Sequence, residues 1–173
     1  MTSPVVTSLV DANRAIHARL DETYTDVVAS LFQSDLTTAK SHLARFVDAL
    51  HAHLAVEDAH VLPRFAALGP VDDDPHALRK IEGDHVILSR ALSSVVEALA
   101  AANARDPAWP RAMVAHIDAL ARLKGVLEHH SLREDRDLYP RLDALLDDVA
   151  RDLVQRALVG TPPDDTHSAR GTA

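Results

Sequence analysis

Two segments of the sequence repeat a spacing of histidine and carboxylate that suits a metal ion. Residues 53–63 read HLAVEDAHVLP and residues 130–140 read HSLREDRDLYP, so each has a Glu four residues after its first His, then an Asp, and a Pro ten residues after that His. A His and a Glu four residues apart lie on one face of a helix, about 6 Å apart along its axis. Imidazole with carboxylate is a ligand set for iron, manganese or zinc. Each segment therefore predicts half of a metal site.

The composition is that of a globular domain without thiol chemistry. The 173 residues are 47% hydrophobic and 25% charged, and none is Cys, so any metal ligands must come from the 11 His and the carboxylates. The net charge of -8 lacks the basic surplus that nucleic acid or an anionic membrane surface would require. The longest run free of charged residues is the first ten, which is short of a membrane span and lacks the basic start of a secretory signal. We expect a cytoplasmic protein that binds neither partner.

The elements that must position the two segments read as helices. Gly is scarce, with 5 residues, and aromatic residues make up 3%, which disfavours a sheet. Apolar residues recur at three- and four-residue spacing between breaks near Ser34-Asp35, Gly69-Pro70 and Asp106-Pro107, with Asp74 and Asp106 as candidate N-caps. The predicted helices span residues 8–33, 36–66, 75–104 and 109–138, followed by a shorter amphipathic segment after Pro140.

Short loops between long helices favour antiparallel neighbours. The predicted fold class is all-α, an antiparallel up-down-up-down four-helix bundle with an additional short C-terminal helix. We expect one domain over residues 1–159. Residues 160–173, rich in Gly, Pro, Thr and Asp, are predicted to be a disordered tail.

A register argument brings four histidines to one level of such a bundle. Residues at equal height in an antiparallel hairpin are equidistant from its turn. His17 and His53 are equidistant from residue 35, His53 and His85 from residue 69, and His85 and His130 from position 107.5, each of which is a predicted turn. Each of the four also lies on the apolar stripe of its helix. We therefore expect them to converge inside the bundle.

Two carboxylates from the repeated segments complete the set. A buried carboxylate without a counter-charge costs several kcal/mol or takes up a proton, and a pair of dications would relieve that cost. Two shared carboxylates, two His per ion and one bridging oxide or hydroxide would give each ion five ligands and leave its sixth octahedral position open for a small ligand. The predicted metal ligands are His17, His53, Glu57, His85, His130 and Glu134.

At these residues the chain resembles the hemerythrin-like family, the HHE cation-binding domain. The family pattern is a His on the first helix, His-x-x-x-Glu on the second, His on the third and His-x-x-x-Glu on the fourth, and it is matched in order over roughly residues 8–140. The resemblance implies two iron ions bridged by Glu57 and Glu134. It also implies that the His on the first two helices bind one iron and those on the last two bind the other.

One position departs from the family. Oxygen-carrying hemerythrins have a second His four residues after the one on the third helix, and Ser89 occupies that position here. The resemblance then implies one strong ligand fewer, which argues against simple reversible oxygen carriage. Tyr24, two turns after His17, is a candidate replacement, although an ordinary core tyrosine is the alternative.

Other polar residues are assigned to simpler roles. His60 lies near the mouth of the bundle, either exposed or near the site, and Glu82 is the best spare carboxylate unless it pairs with neighbouring cations. Asp58 and Asp135 lie about 140° round the helix from the first His of each segment and are expected to form outward salt bridges. His42 and His116 are interpreted as hydrogen-bonded core histidines.

The function predicted from these residues is that of a non-haem di-iron protein. It would bind, and react with, a diatomic or peroxide ligand such as dioxygen, hydrogen peroxide or nitric oxide, in oxidative or nitrosative stress response or in iron handling. One alternative is a non-enzymatic oxygen or iron sensor, or a metal-storage module. A second alternative is a zinc-binding bundle. The sequence does not fix whether the protein turns over, nor its oligomeric state.

Overall fold

The computed structural model describes residues 8–71 and 74–159, and helices make up nearly all of this part of the chain. The helices are α1 (Leu9–Phe32), α2 (Leu36–Val56), α3 (Leu62–Ala67), α4 (Ala77–Ala101), α5 (Trp109–Arg133), α6 (Tyr139–Leu145) and α7 (Asp148–Val159). Two π-helical segments, Glu57–Val61 and Glu134–Leu138, join α2 to α3 and α5 to α6 without a break. Within the described ranges there are thus five continuous helices and no strand, which confirms the all-α prediction. The predicted tail lies outside these ranges.

The turn between α1 and α2 lies where the sequence predicts it. Ser34 adopts a left-handed backbone conformation with φ of 57°, which reverses the chain within three residues. The carboxylate of Asp35 then accepts a hydrogen bond from the backbone N–H of Thr38 at 3.0 Å and caps the start of α2. A hairpin this tight fixes the register of α2 against α1.

Three predicted helix boundaries differ from the structure by two residues or more, and one of them is the end of α4, which lies at Ala101 and not at residue 104. α4 begins at Ala77 and not at residue 75, because the carboxylate of Asp74 accepts from the N–H of His76 and from Lys80 in a turn that precedes the helix. The fourth predicted helix does not end at residue 138 but continues through Pro140 to Leu145. A proline expected to end the helix therefore lies inside it.

The π-helical segments explain how both helices continue past a proline. In each segment the backbone closes a wider turn, so that the N–H of Leu62 bonds to the carbonyl of Glu57 and that of Tyr139 to the carbonyl of Glu134. Proline has no N–H and its ring crowds the carbonyl four residues earlier, so that it disrupts a regular α-helix. The wider turn places Pro63 and Pro140 in the first turn of a new α-helical stretch, where proline is tolerated.

Buried apolar side chains form two clusters along the helices. One cluster occupies the half of the molecule near the α1–α2 turn and includes Phe46 and Trp109. The other lies where α3, α6 and α7 pack against the starts of α1 and α4, and includes Phe65 and Tyr139. Along α1, His17 falls between Ala12 of the second cluster and Leu20 of the first. The predicted ligands therefore lie between the two apolar clusters.

Long-range contacts join neighbouring helices at several levels. The rings of Tyr24 on α1 and Phe46 on α2 lie 6.2 Å apart, Lys40 of α2 donates to the carbonyl of Ala100 on α4, and Lys124 of α5 pairs with Asp21 of α1. These pairs are compatible with a hemerythrin-like helical bundle.

The C-terminal helix α7 packs against the bundle through only part of its apolar face. Val154 and Leu158 are buried, whereas Val149 and Leu153 are exposed, as is Leu145 at the end of α6. The predicted segment after Pro140 is thus two helices, broken at residues 146–147, and several of its apolar residues face outwards. None of the helices described has the length and apolar character needed to cross a membrane.

Candidate metal centre

The six predicted ligands come together in one buried cluster. Both glutamates are fully buried, and among the imidazoles only that of His17 has an appreciable exposed fraction, 14% of its side chain. His17 Nε2 lies 3.0 Å from His53 Nε2 and 3.0 Å from Glu134 Oε2. The convergence of donors from α1, α2, α4 and α5 follows from the tight turn and from the level that each His occupies on its helix.

Glu57 and Glu134 lie at the middle of the cluster. Glu57 Oε2 is 3.6 Å from His53 Nε2, 3.3 Å from His85 Nε2 and 3.4 Å from His130 Nε2. Glu134 Oε1 is 2.9 Å from His130 Nε2 and 3.9 Å from His53 Nε2. Each carboxylate therefore faces imidazoles from more than one helix, as a ligand shared by two ions would.

A metal ion fits the donor set. One ligand atom from each of His53, Glu57, His130 and Glu134 lies within 4.8 Å of the others, which is the spacing of a coordination sphere. Several of these atoms are buried without a hydrogen-bond partner, including Glu57 Oε2, Glu134 Oε1 and the Nε2 atoms of His85 and His130. Buried polar atoms without partners are costly in a native protein, and a cation bound among them would remove the cost.

The ionisable groups of the cluster differ in their protonation. Burial disfavours the charged form of His53 and lowers the pKa of its imidazole to about 4. Burial acts in the same direction on His130, but the charge of Glu134 and the contacts with both glutamates outweigh it and raise the pKa of that imidazole to about 10. Burial also opposes ionisation of Glu134, yet the neighbouring Glu57 and His130 hold the pKa of its carboxyl well below the usual value. A bound cation would displace the proton of His130, because ligands bind in their deprotonated form.

The comparison with protein families identifies this arrangement. The hemerythrin HHE cation binding domain matches residues 5–142, which is most of the chain. The chain belongs to the hemerythrin HHE family. Neither the curated proteins nor the solved structures compared with the chain gave a match. The resemblance drawn from the sequence is therefore confirmed, together with the cation-binding character of the domain.

Three further residues hold the hemerythrin-type donors in place, and sequence reasoning missed all of them. The hydroxyl of Tyr139 donates to Glu57 Oε1 at 2.6 Å, and the amide of Asn13 donates to Glu134 Oε2 at 3.2 Å. The hydroxyl of Ser131 contacts Nδ1 of His17. Burial and the adjacent charge of Glu57 raise the pKa of the Tyr139 phenol well above its usual value, which keeps it a donor.

The sequence did contain signals for these three. Asn13 is one helical turn before His17 and on the same face, and Ser131 directly follows His130. Tyr139 precedes the proline of the second segment, but a regular helix would place it about 140° away from Glu134. The π-helical turn at Glu134–Leu138 reduces that angle and directs the ring into the core.

The candidates named as possible additional members of the site lie elsewhere. The ring of Tyr24 packs against Phe46 in the apolar cluster, with the ammonium of Lys124 5.9 Å from its centroid. His60 and Glu82 are both exposed. Tyr24 is thus a partly buried tyrosine that packs against the apolar cluster, and the tyrosine that contacts the donors is Tyr139.

The two aspartates that follow the glutamates differ from each other. Asp135 forms the expected outward salt bridge, with Arg14 at 3.0 Å. Asp58 does not, because its carboxylate lies 2.8 Å from Nδ1 of His85 on the neighbouring helix and orients that ligand. The expectation for Asp58 was wrong because it considered only the helix to which this residue belongs.

Two half-buried histidines away from the centre, His42 and His116, also differ from each other in their contacts. His42 lies 3.4 Å from a carboxylate oxygen of Asp26 and 2.7 Å from the guanidinium of Arg45, as a hydrogen-bonded histidine should. His116 packs beside Trp109, where burial lowers the pKa of its imidazole. Neither imidazole contacts the cluster, and His116 therefore serves as a control in the metal-binding experiment below.

Proposed function

We propose that the chain is a di-iron protein that binds and reacts with a small oxidant, namely dioxygen, hydrogen peroxide or nitric oxide. In this proposal the four long helices run up-down-up-down around the centre. Glu57 and Glu134 are shared by two iron ions, and the imidazoles are the terminal ligands. His17 and His53 bind one ion, and His85 and His130 bind the other.

The observation that carries the proposal is that two glutamate carboxylates are buried among the imidazole nitrogens of four histidines. Both side chains are completely buried. One oxygen of each, Oε2 of Glu57 and Oε1 of Glu134, has imidazole nitrogens close by but none in hydrogen-bond geometry. Each carboxylate faces several imidazole nitrogens at 2.9–3.6 Å. Protons alone would form hydrogen bonds with only some of these atoms, whereas a cation between them would contact all of them. Two divalent ions neutralise the pair and use every inward nitrogen.

The protein's own groups position the donors and keep the centre dry. Tyr139 and Asn13 each occupy one oxygen of a glutamate, which leaves the other oxygen free to face the centre. Asp58 and Ser131 contact the outer nitrogens of His85 and His17 and thereby direct their Nε2 atoms inwards. Iron, when bound, would supply the redox chemistry with the oxidant.

The residue one turn after His85 on α4 supports reaction with the oxidant over reversible carriage. Ser89 stands one turn after His85, and its side chain is half-buried on α4. A hydroxyl is a weaker ligand for iron than an imidazole, so both ions, and not one alone, would keep an open position for a small molecule. We place the protein in the cytoplasm, in oxidative or nitrosative stress response or in iron handling, acting without nucleic acid or a membrane.

Metal analysis combined with visible spectroscopy tests the proposal. Protein purified after growth with iron is expected to contain about two iron ions per chain and an absorption band that changes on addition of hydrogen peroxide or nitric oxide. His53→Ala should lose iron and the band. His116→Ala, a half-buried histidine outside the cluster, should keep both. A colourless protein that retains zinc after growth with iron, or one whose band responds to neither oxidant, would overturn the proposal.

A further inference from the structure

The imidazoles of the centre divide into two pairs by distance. The ring centroids of His17 and His53 lie 4.9 Å apart, and those of His85 and His130 lie 5.0 Å apart. The ring of His130 is farther from those of His17 and His53, at 6.2 and 6.3 Å. Each pair with the glutamate oxygens around it is one half of the centre. On the proposed function, on which this inference rests, each half holds one ion.

The outer nitrogens of the two halves have different partners. In one half, Nδ1 of His85 is 2.8 Å from the carboxylate of Asp58, and Nδ1 of His130 has no hydrogen-bond partner. In the other half, Nδ1 of His17 contacts the hydroxyl of Ser131, and Nδ1 of His53 has no hydrogen-bond partner. A carboxylate hydrogen-bonded to the outer nitrogen fixes the tautomer of the imidazole and makes the ligating nitrogen more basic, whereas a hydroxyl adds no charge. The half that contains His85 should therefore bind a cation more strongly.

The repeat supplies a reference for the role of Asp58. Asp135 occupies the same place in the second segment, one residue after the glutamate, but its carboxylate pairs with Arg14 and not with a ligand. Both carboxylates are accessible, with side chains 61% and 33% exposed, so neither is needed to fill the core. The two residues differ mainly in what their charge contacts.

We propose that Asp58 is a positioning residue that makes the two metal sites unequal. The site of His85 and His130 binds its ion tightly, and the site of His17 and His53 holds an ion that exchanges first. Loading and loss of metal then occur in two separate steps. The single-metal protein is a distinct intermediate whose ion lies beside Glu57.

Titration of the metal-free protein with Co²⁺ tests this inference, because the visible spectrum of cobalt reports its ligands. Competition with a chelator measures both dissociation constants. The wild type is expected to bind in two resolved steps. Asp58→Asn keeps the size of the side chain and removes its charge, and it should weaken the tighter step about 10- to 100-fold. Asp135→Asn is the matched control and should leave both steps unchanged.

Each outcome has a separate meaning. Equal binding by Asp58→Asn and wild type, a single step in the wild type, or the same weakening in Asp135→Asn would overturn the inference while leaving the metal centre in place. A wild type that binds no Co²⁺, Fe²⁺ or Zn²⁺ would instead contradict the proposed function. Far-UV circular dichroism and the Tm of the metal-free variants verify the fold, which a change at either exposed carboxylate should preserve.

Discussion

The two repeated segments, residues 53–63 and 130–140, present the same donors in different surroundings. In both, the His and the Glu face the centre, and a π-helical turn follows before the proline. They differ at four places where the first segment has an apolar residue and the second a polar one. These pairs are Leu54 and Ser131, Val56 and Arg133, Ala59 and Arg136, and Leu62 and Tyr139.

Three of these four polar residues each contact a different part of the bundle, whereas Arg136 pairs with Asp137 of its own segment. Ser131 contacts His17 on α1, Arg133 pairs with Asp84 on α4, and Tyr139 donates to Glu57 of the first segment. The first segment makes one comparable contact, from Asp58 to His85. The two segments therefore contribute the same donors to the centre, but the second segment makes more of the contacts that position neighbouring helices.

The largest effect is expected from replacing the glutamate that both segments contain. Glu57→Gln and Glu134→Gln keep the volume of the side chain and remove the charge at the middle of the cluster. Each carboxylate faces imidazoles from three helices. We therefore expect each variant to lose more than about 100-fold in metal affinity, which is more than the loss expected when a hydrogen-bond partner of a ligating imidazole is removed. Isothermal titration with Fe²⁺ or Co²⁺ measures it. Retention of two ions by either variant would show that its glutamate is not shared.

A smaller effect is expected from Tyr139→Phe, which removes the hydroxyl and keeps the ring. It leaves Glu57 Oε1 buried without its donor, at a cost of about 1–3 kcal/mol in the free energy of unfolding. Urea denaturation of the metal-free protein measures this. Tyr24→Phe, in the apolar cluster, is the matched control and should change the value by less than half as much. If the two tyrosine variants lose equal stability, the hydroxyl of Tyr139 has no special role.

The smallest effect should follow Arg133→Val, which gives the second segment the residue of the first. It leaves the carboxylate of Asp84, whose side chain is 10% exposed, without its partner, and we expect a loss of about 1–2 kcal/mol. Arg14→Ala breaks a more accessible pair, with side chains 59% and 33% exposed, and should cost less than about 1 kcal/mol. A double-mutant cycle with Asp84→Asn isolates the coupling, and a coupling of zero would remove Arg133 from the comparison.

The sequence was sufficient to predict the helices, the family and the level at which the donors meet. The tight turn at Ser34 and the periodic apolar stripes determine these features, and both are local or follow from helix geometry. His17 and His53 lie opposite each other because both are equally distant from that turn.

The contacts that orient the donors could not be predicted in the same way. The distance from Asp58 to His85 depends on how α2 and α4 approach each other, which no spacing along one helix reveals. The position of Tyr139 depends on a π-helical turn that the 3.6-residue period does not anticipate. Local pattern thus specifies which residues bind, and packing specifies which residues hold them.

The π-helical turns also make the two helices that contain them intolerant of insertions and deletions. Upstream of each turn the helix aims a glutamate at the centre, and downstream it buries Phe65 or Tyr139 in the second apolar cluster. Adding or removing one residue between them would rotate one end against the other by about 100°. An insertion at Glu57–Val61 or Glu134–Leu138 would therefore misdirect a ligand or expose an aromatic ring, whereas the same insertion at residues 102–108, in a surface loop, leaves both in place.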